Sequence, residues 1–210
     1  MHNLKLMQLN YKTYGEGQPL IILHGLFGSL DNWHTVAKKL GEQYRVFLID
    51  QRNHGKSPHT DFMDYPSMAA DIKAFMDKQE LHQAMVAGHS MGGKTAMELA
   101  LSQPERVKKL VSIDMTPFAL SGGHQKLFEA MNALDLISIS KRKEADEALK
   151  PFISDFGIRQ FLLKNLERGN EGGYQWKMNL PAIERNYNAL MKGVGELKRI
   201  YEGPILFIKG

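Results

Sequence analysis

The sequence predicts an α/β protein: a mostly parallel β-sheet with helices on both faces and an inserted helical lobe. Three observations carry this expectation. Short unbroken apolar runs end in Gly or Asp, as strands buried on both faces do. Segments with helical spacing separate those runs, so the chain reads as successive βαβ units with right-handed crossovers. Between residues 117 and 203 the strand signal lapses and helical spacing takes over, until Pro204 starts one more apolar run.

The elements follow in order. Residues 4–14 alternate loosely and predict one or two early strands. Leu20-Ile21-Ile22-Leu23 follows Pro19 and closes at His24-Gly25, and Val46-Phe47-Leu48-Ile49 ends in Asp50. Met85-Val86-Ala87 ends at Gly88, Leu110-Val111-Ser112-Ile113 ends at Asp114, and Ile205-Leu206-Phe207-Ile208 runs into Lys209-Gly210. Trp33, Val36, Ala37 and Leu40 keep helical i, i+3, i+4, i+7 spacing, and Met68, Ile72, Phe75 and Met76 share one helical face. Ala96, Met97, Leu99 and Ala100 follow Gly92-Gly93, and Pro104 closes their helix. In the lobe, helices are expected over residues 127–136, 143–152, 158–166 and 183–197, with a break at Gly169-Asn170-Glu171-Gly172-Gly173. The expected division is a core of residues 1–115 and 204–210 and a helical cap of residues 116–203.

Composition narrows the function classes. The chain has 210 residues and no cysteine, which excludes a disulfide scaffold, a thiolate zinc site and a cysteine nucleophile. Its 27 Lys and Arg against 23 Asp and Glu leave a net charge of +4, with the signs interspersed. The one basic cluster, Lys141-Arg142-Lys143, is followed by Glu144, Asp146 and Glu147 and reads as a solvated helix face, so no nucleic-acid partner is expected. No apolar run reaches the ~20 residues of a membrane span. Met1-His2-Asn3-Leu4-Lys5 shows no leader pattern, and a cytoplasmic protein is the expectation. No pair of histidines or carboxylates has metal-ligand spacing, so neither a metal nor another cofactor is expected.

The strongest chemical signal is Gly88-His89-Ser90-Met91-Gly92. Three fixed residues match by chance in roughly one chain in 15 of this length, so the pentapeptide alone is weak. Its setting is specific: it follows a buried strand and opens a helix, as a nucleophile elbow must. Ser90 is then held at the carboxyl edge of the sheet, above the positive end of the following helix. Gly88 and Gly92 are needed because side chains there would collide with the neighbouring strand and helix. An oxyanion also needs two backbone N–H donors in place before reaction. Met91, the residue after the nucleophile, supplies one, and the loop His24-Gly25-Leu26-Phe27-Gly28 supplies the other, assigned to Leu26. His24 itself reads as a structural hydrogen-bonder.

These residues resemble the α/β-hydrolase fold superfamily. The cues are His24-Gly25, Asp50-Gln51-Arg52-Asn53-His54-Gly55-Lys56-Ser57 and Gly88-His89-Ser90-Met91-Gly92-Gly93-Lys94. The longer strings around them, with Ser112-Ile113-Asp114-Met115-Thr116-Pro117, are similar to the YbfF-type esterases and related mitochondrial abhydrolase proteins. The resemblance implies a Ser–His–acid esterase acting on a small-molecule ester, with acyl-CoA thioesters as a second substrate class and an acyl-enzyme intermediate. Ser90 matches the nucleophile. Most of the superfamily places the acid after the strand written here as Ile205-Leu206-Phe207-Ile208, but the YbfF type places it where Asp114 stands. Asp114 also ends a buried strand at the same sheet edge as Ser90 and follows it in chain order.

The base is expected on a loop after one further strand. The histidines are His2, His24, His34, His54, His59, His82, His89 and His124, none of them after Gly203. His89 lies in the elbow with its ring expected away from the Ser90 face, and His124 opens the lobe and at best lines the cleft. The sequence therefore reads as a truncated form of a longer hydrolase, lacking about 45 residues. Lys94, in the first turn after the elbow, opposes the helix dipole and calls for a partner: a carboxylate of the protein, or an acidic group of a substrate. Asp50 and Arg52 are expected to organise their loop through an ion pair or backbone bonds. Phe118, Phe128, Phe152, Phe156, Phe161 and Trp176 are expected in the lobe core, with Phe27 and one or two of them lining an acyl pocket. Two rivals remain at this level: a lyase or C–C hydrolase of the same fold holding an anionic substrate through Lys94, and a binding module without a base. Dehalogenase chemistry is disfavoured because it needs Asp where Ser90 stands.

Overall fold

The computed structural model describes residues 7–170, 172–195 and 199–210. The expected start of the first strand at residue 4 and the expected end of the last lobe helix at residue 197 lie outside them.

Each buried apolar run forms its strand. The sheet contains β1 (Tyr11–Tyr14), β2 (Gln18–Leu23), β3 (Tyr44–Ile49), β4 (Ala84–His89), β5 (Val107–Ile113) and β8 (Ile205–Ile208). Their order is β1-β3-β2-β4-β5-β8. β1 pairs antiparallel with β3, and every other pairing in this sheet is parallel. The crossovers carry α1 (His34–Leu40), α2 (Tyr65–Lys78) and α3 (Met91–Ser102). Asp64 caps α2 by accepting from the Ser67 N–H, and Pro66 sits at its start, where a missing N–H costs nothing. The strand order reverses between β2 and β4, so the loops after these two strands flank the crevice where open α/β sheets bind ligands.

Two apolar clusters sandwich the sheet. Ile21, Leu23, Phe47, Ile49 and Val86 pack with Ile72, Phe75, Met76, Ala96 and Leu99 of α2 and α3. Leu20, Ile22, Val46, Leu48 and Met85 pack with Leu30 and Ala37 on the other face. Alternate residues of one strand thus serve opposite layers, as the pleat requires.

The β8 strand departs from expectation. It pairs with β5 in parallel register, but Ile205, Leu206, Phe207 and Ile208 are 44–55% exposed. It is an edge strand, and the helices that cover β2–β5 do not reach it.

Residues between β5 and β8 fold into α4 (Gln125–Asn132), α5 (Arg142–Leu149), α6 (Phe156–Leu163), a hairpin of β6 (Leu166–Arg168) and β7 (Tyr174–Trp176), then α7 (Leu180–Arg185) and α8 (Tyr187–Met191). The Gly-rich break therefore lies between the two strands of a small antiparallel sheet, not between helices. The lobe buries Phe128, Met131, Leu149, Leu162, Leu163, Leu166 and Ile183 against Leu26, Phe27, Met63 and Met91 of the sheet domain. Phe128 is core as expected, whereas Phe118, Phe152 and Phe156 are exposed. Arg142 is also more than a solvated charge: its guanidinium donates to the carbonyls of Leu163 and Leu166 where α6 ends.

Candidate active site

The carboxyl ends of three neighbouring strands build the site: β2 delivers residues 24–28, β4 delivers Ser90 and β5 delivers Asp114. Ser90 has φ 50° and ψ −117°, a backbone region that L-residues enter only under constraint. Gly88 and Gly92 make this bend feasible: a Cβ on Gly88 would stand 2.1 Å from the Gly92 carbonyl oxygen, and one on Gly92 would stand 2.5 Å from that of Leu23. The bend is held by the Ser90 N–H donating to Ile113 at 3.0 Å, and the Ser90 carbonyl accepts from Gly93 at 2.8 Å to start α3. The Ser90 side chain, half-buried, is left without a partner among the described residues.

The loop after β2 crosses directly beside it. A Cβ on Gly25 would approach the Ser90 Cβ to 3.2 Å and the His89 Nδ1 to 2.8 Å, so only glycine lets the two chains come this close. Gly28 donates to the Gly25 carbonyl at 3.0 Å, closing a turn that contains Leu26 and Phe27. The backbone amides of Leu26 and Met91 bond to no acceptor among the described residues.

Asp114 has φ 49°, and its N–H donates to the Ile208 carbonyl at 2.7 Å. Its carboxylate faces the end of β8: a Cβ on Gly210 would stand 3.5 Å from the Asp114 Cγ. A largely apolar hollow of about 460 Å³ opens there, lined by Asp114, Met115, Thr116, Leu120, Phe207, Ile208 and Lys209.

The histidines near the sheet edge divide by environment. His24 is buried, its Nδ1 meets the Gly25 carbonyl at 2.9 Å and its Nε2 accepts from the Gln51 N–H at 3.0 Å. Burial lowers its pKa to about 4. His54 is likewise buried, its pKa lowered to about 3 by desolvation and then by His24. Its Nδ1 donates to the Arg52 carbonyl at 3.0 Å, and its Nε2 has no partner among the described residues. Both are structural neutral imidazoles. The His89 ring lies against Gly25 and 6.3 Å from the Trp33 ring; burial lowers its pKa, partly offset by the Asp114 charge. His124 packs 5.9 Å from the Phe27 ring, and its Nδ1 bonds to the Tyr187 hydroxyl at 2.7 Å. Among the described residues, no imidazole is hydrogen-bonded to Ser90 or Asp114.

The supporting loop after β3 is organised by backbone bonds, one of the two arrangements expected of Asp50 and Arg52. Asp50 accepts from the backbone N–H groups of Leu30 and Lys56 and from Asn10, and does not pair with Arg52. Arg52 instead makes a buried two-pronged bond to Asp71 on α2, at 2.6 and 2.9 Å, and also donates to the Phe62 and Ser67 carbonyls. Lys94 pairs with no carboxylate among the described residues. It is wholly buried, donates to the Lys192 carbonyl at 2.6 Å and lies 5.6 Å from the Tyr65 ring. Tyr65 in turn donates to the Leu190 carbonyl at 2.8 Å. Two core side chains thus hold the segment by which the lobe returns to the sheet. Sequence pattern carries no trace of Tyr65 in this role, because its acceptor is a main-chain oxygen 125 residues away. Among the described residues no group of metal ligands occurs, and no helix is long and apolar enough to cross a membrane.

A left-handed serine between two close-approach glycines, on a parallel sheet of this order, defines the α/β-hydrolase fold. The chain belongs to that family: the family model described as alpha/beta hydrolase fold matches residues 18–137. Among solved structures it is similar to a marine microorganism esterase, at 43% identity and a TM-score of 0.94, covering 97% of this chain and 81% of that one. It is 37% identical over 222 residues to the sn-1-specific diacylglycerol lipase ABHD11 of Danio rerio, covering all of this chain and 69% of that protein. Esterase YbfF of Escherichia coli (strain K12) is 35% identical over 193 residues, covering 91% of this chain and 73% of that one. The YbfF-type resemblance seen in the motifs thus extends over nearly the whole sequence.

Proposed function

We propose that this protein is a serine hydrolase that cleaves carboxylic esters through an acyl-enzyme intermediate. The observation that carries this is the strained Ser90, presented at the sheet edge beside the turn of Leu26 and one strand from Asp114. Ser90 Oγ attacks the ester carbonyl carbon while its proton passes to an imidazole base. The carbonyl oxygen becomes an oxyanion held by the N–H groups of Leu26 and Met91. The tetrahedral intermediate collapses, the alcohol leaves with the proton, and water repeats the sequence on the acyl-serine.

Asp114 is the acid that orients the imidazole. Its carboxylate faces the end of β8 and the hollow beside it, which is where the proposed imidazole base is held. Acyl thioesters, acyl-CoA among them, undergo the same attack and form the second proposed substrate class. The lobe is the proposed cap, closing an apolar cleft over the acyl chain. The lipase and esterase names of the relatives support this reading.

A lyase or C–C hydrolase that holds an anion through Lys94 is disfavoured, because that ammonium is buried and bonded to Lys192. Hydrolysis of p-nitrophenyl butyrate by the full-length protein tests the proposal. Ser90→Ala is expected to abolish it and to abolish labelling by a fluorophosphonate probe. Unchanged turnover in the variant refutes the assignment. A wild-type protein that neither hydrolyses esters nor takes the probe supports a binding module instead.

A further inference from the structure

The turn that carries Leu26 contains its own strain. Phe27 has φ 59°, a left-handed backbone ordinarily given to glycine in such a turn. Two contacts hold it, and both come from the lobe. The first is packing: the Phe27 ring is wholly buried, with centroids 5.2 Å from Phe128 and 5.9 Å from His124. The second is a hydrogen bond. Asn165 Nδ2 donates to the Phe27 carbonyl at 2.6 Å, across 138 positions of sequence.

Asn165 is only 2% exposed and follows the end of α6. Its own main chain is tied on both sides, its N–H donating to Leu162 at 2.9 Å and its carbonyl accepting from Lys177 at 2.8 Å. The side-chain amide is therefore a fixed donor. A bond to the Phe27 carbonyl fixes the plane of the peptide between Phe27 and Gly28, and the Gly28–Gly25 bond fixes the far side of the turn. Between these two anchors the Leu26 N–H has a set direction.

We propose that Asn165 is a positioning residue for the oxyanion hole: from the lobe it holds the strained Phe27 turn so that the Leu26 amide faces the developing oxyanion before reaction. This rests on the acyl-transfer reading given above. Donors of this kind act by being in place before charge develops, and losing one costs about 10²–10³ in kcat. Loosening the turn leaves the donor present but poorly aimed, so a smaller loss follows, about 10–100-fold.

The test uses the full-length protein, after Ser90→Ala has shown that the wild type hydrolyses esters through that serine. If the wild type has no such activity, it is the acyl-transfer reading that fails, and this is seen before any Asn165 variant is made. Asn165→Leu removes the donor at similar volume, and Asn165→Asp keeps the shape. Asn179→Ala is the control, since Asn179 bonds the lobe to Asn53 and Thr60 away from the turn. The expected result for the Asn165 variants is a 10–100-fold fall in kcat with KM within about threefold. Affinity for a trifluoromethyl ketone, whose serine adduct carries an oxyanion, falls by the same factor. Asn179→Ala keeps kcat within about threefold. An Asn165 variant that folds and keeps wild-type kcat overturns the proposal. So does an equal fall in Asn179→Ala, which assigns the effect to lobe integrity in general. Failure of both Asn165 variants to fold overturns it too, because Asn165 then serves the stability of the lobe.

Discussion

Ser90 and Asp114 take nearly the same left-handed φ, 50° and 49°, at the ends of adjacent parallel strands, and the Ser90 N–H bonds to Ile113, the residue before Asp114. One hydrogen bond of 3.0 Å therefore fixes the spacing of the proposed nucleophile and the proposed acid. Asp114→Asn keeps the shape and removes the charge that stabilises an imidazolium. The expected outcome in the full-length protein is a fall in kcat of about 10²–10⁴-fold with the fold intact. Steady-state kinetics with p-nitrophenyl butyrate and a circular dichroism melt check it. A change under threefold moves the acid to another position.

The elbow glycines predict a graded response. A Cβ on Gly88 would meet main-chain oxygen at 2.1 Å and one on Gly92 at 2.5 Å, distances no rotamer change relieves. Gly93 is nearby, but its Cβ would meet the Met115 Cβ and Ser112 Oγ at 3.1 Å, contacts that small shifts can absorb. Gly88→Ala and Gly92→Ala should each cost roughly 3 kcal/mol or fail to fold, and Gly93→Ala under about 1.5 kcal/mol. Urea midpoints measured side by side decide this, and equal midpoints for all three would contradict it.

The strands and the sharp turn at Ser90 are legible in the sequence because each rests on local chemistry. Continuous apolar runs that end in Gly or Asp mark the strands, and Gly88 and Gly92 stand where main chains touch, as Gly25 stands against the His89 and Ser90 side chains. What was not legible depends on main-chain oxygens as acceptors. Lys94 seemed to need a carboxylate, yet its partner is the Lys192 carbonyl. Of the two arrangements open to Asp50 and Arg52, an ion pair or backbone bonds, Asp50 takes backbone N–H groups, and Arg52 adds to the Asp71 carboxylate the Phe62 and Ser67 carbonyls, which no pattern singles out. Every residue offers a carbonyl, so no sequence pattern marks which one a buried donor will find. The hairpin at residues 166–176 was missed for another reason: its strands of three residues are too short for period-two alternation to register.

Two buried histidines set a pH response. Burial lowers His24 to about 4 and His54 to about 3, from an ordinary 6.5. Between those values and 6.5 the unfolded chain binds protons that the native state does not. Native stability therefore rises with pH through this window and is lost as pH falls below 6.5. Each histidine adds a slope of about 1.4 kcal/mol per pH unit. Urea unfolding from pH 7 to pH 4.5 should show a steadily falling midpoint. His54→Gln, which removes the ionisation, should flatten the curve by about half. A midpoint independent of pH in the wild type contradicts the assignment of both rings as buried and neutral.

The return of the lobe to the sheet predicts a coupling. Tyr65 and Lys94 bond the carbonyls of Leu190 and Lys192, two residues apart on one segment, from two different helices, and the Lys94 ammonium also lies 5.6 Å from the Tyr65 ring. The Tyr65 bond is buried and the Lys94 bond partly so, and removing either donor strands a carbonyl at a cost of about 1–3 kcal/mol. Tyr65→Phe and Lys94→Met should each destabilise within that range. Once either bond is gone the segment is freer to move, and the second has less to hold. The double variant should therefore cost less than the two single costs together, with an interaction of at least about 0.5 kcal/mol. Hydrogen exchange should rise at residues 189–195 in each single variant while the β2–β5 amides keep their protection. Additive costs, or exchange spread evenly over the sheet, would mean that the two side chains act separately rather than as one clasp on the returning segment.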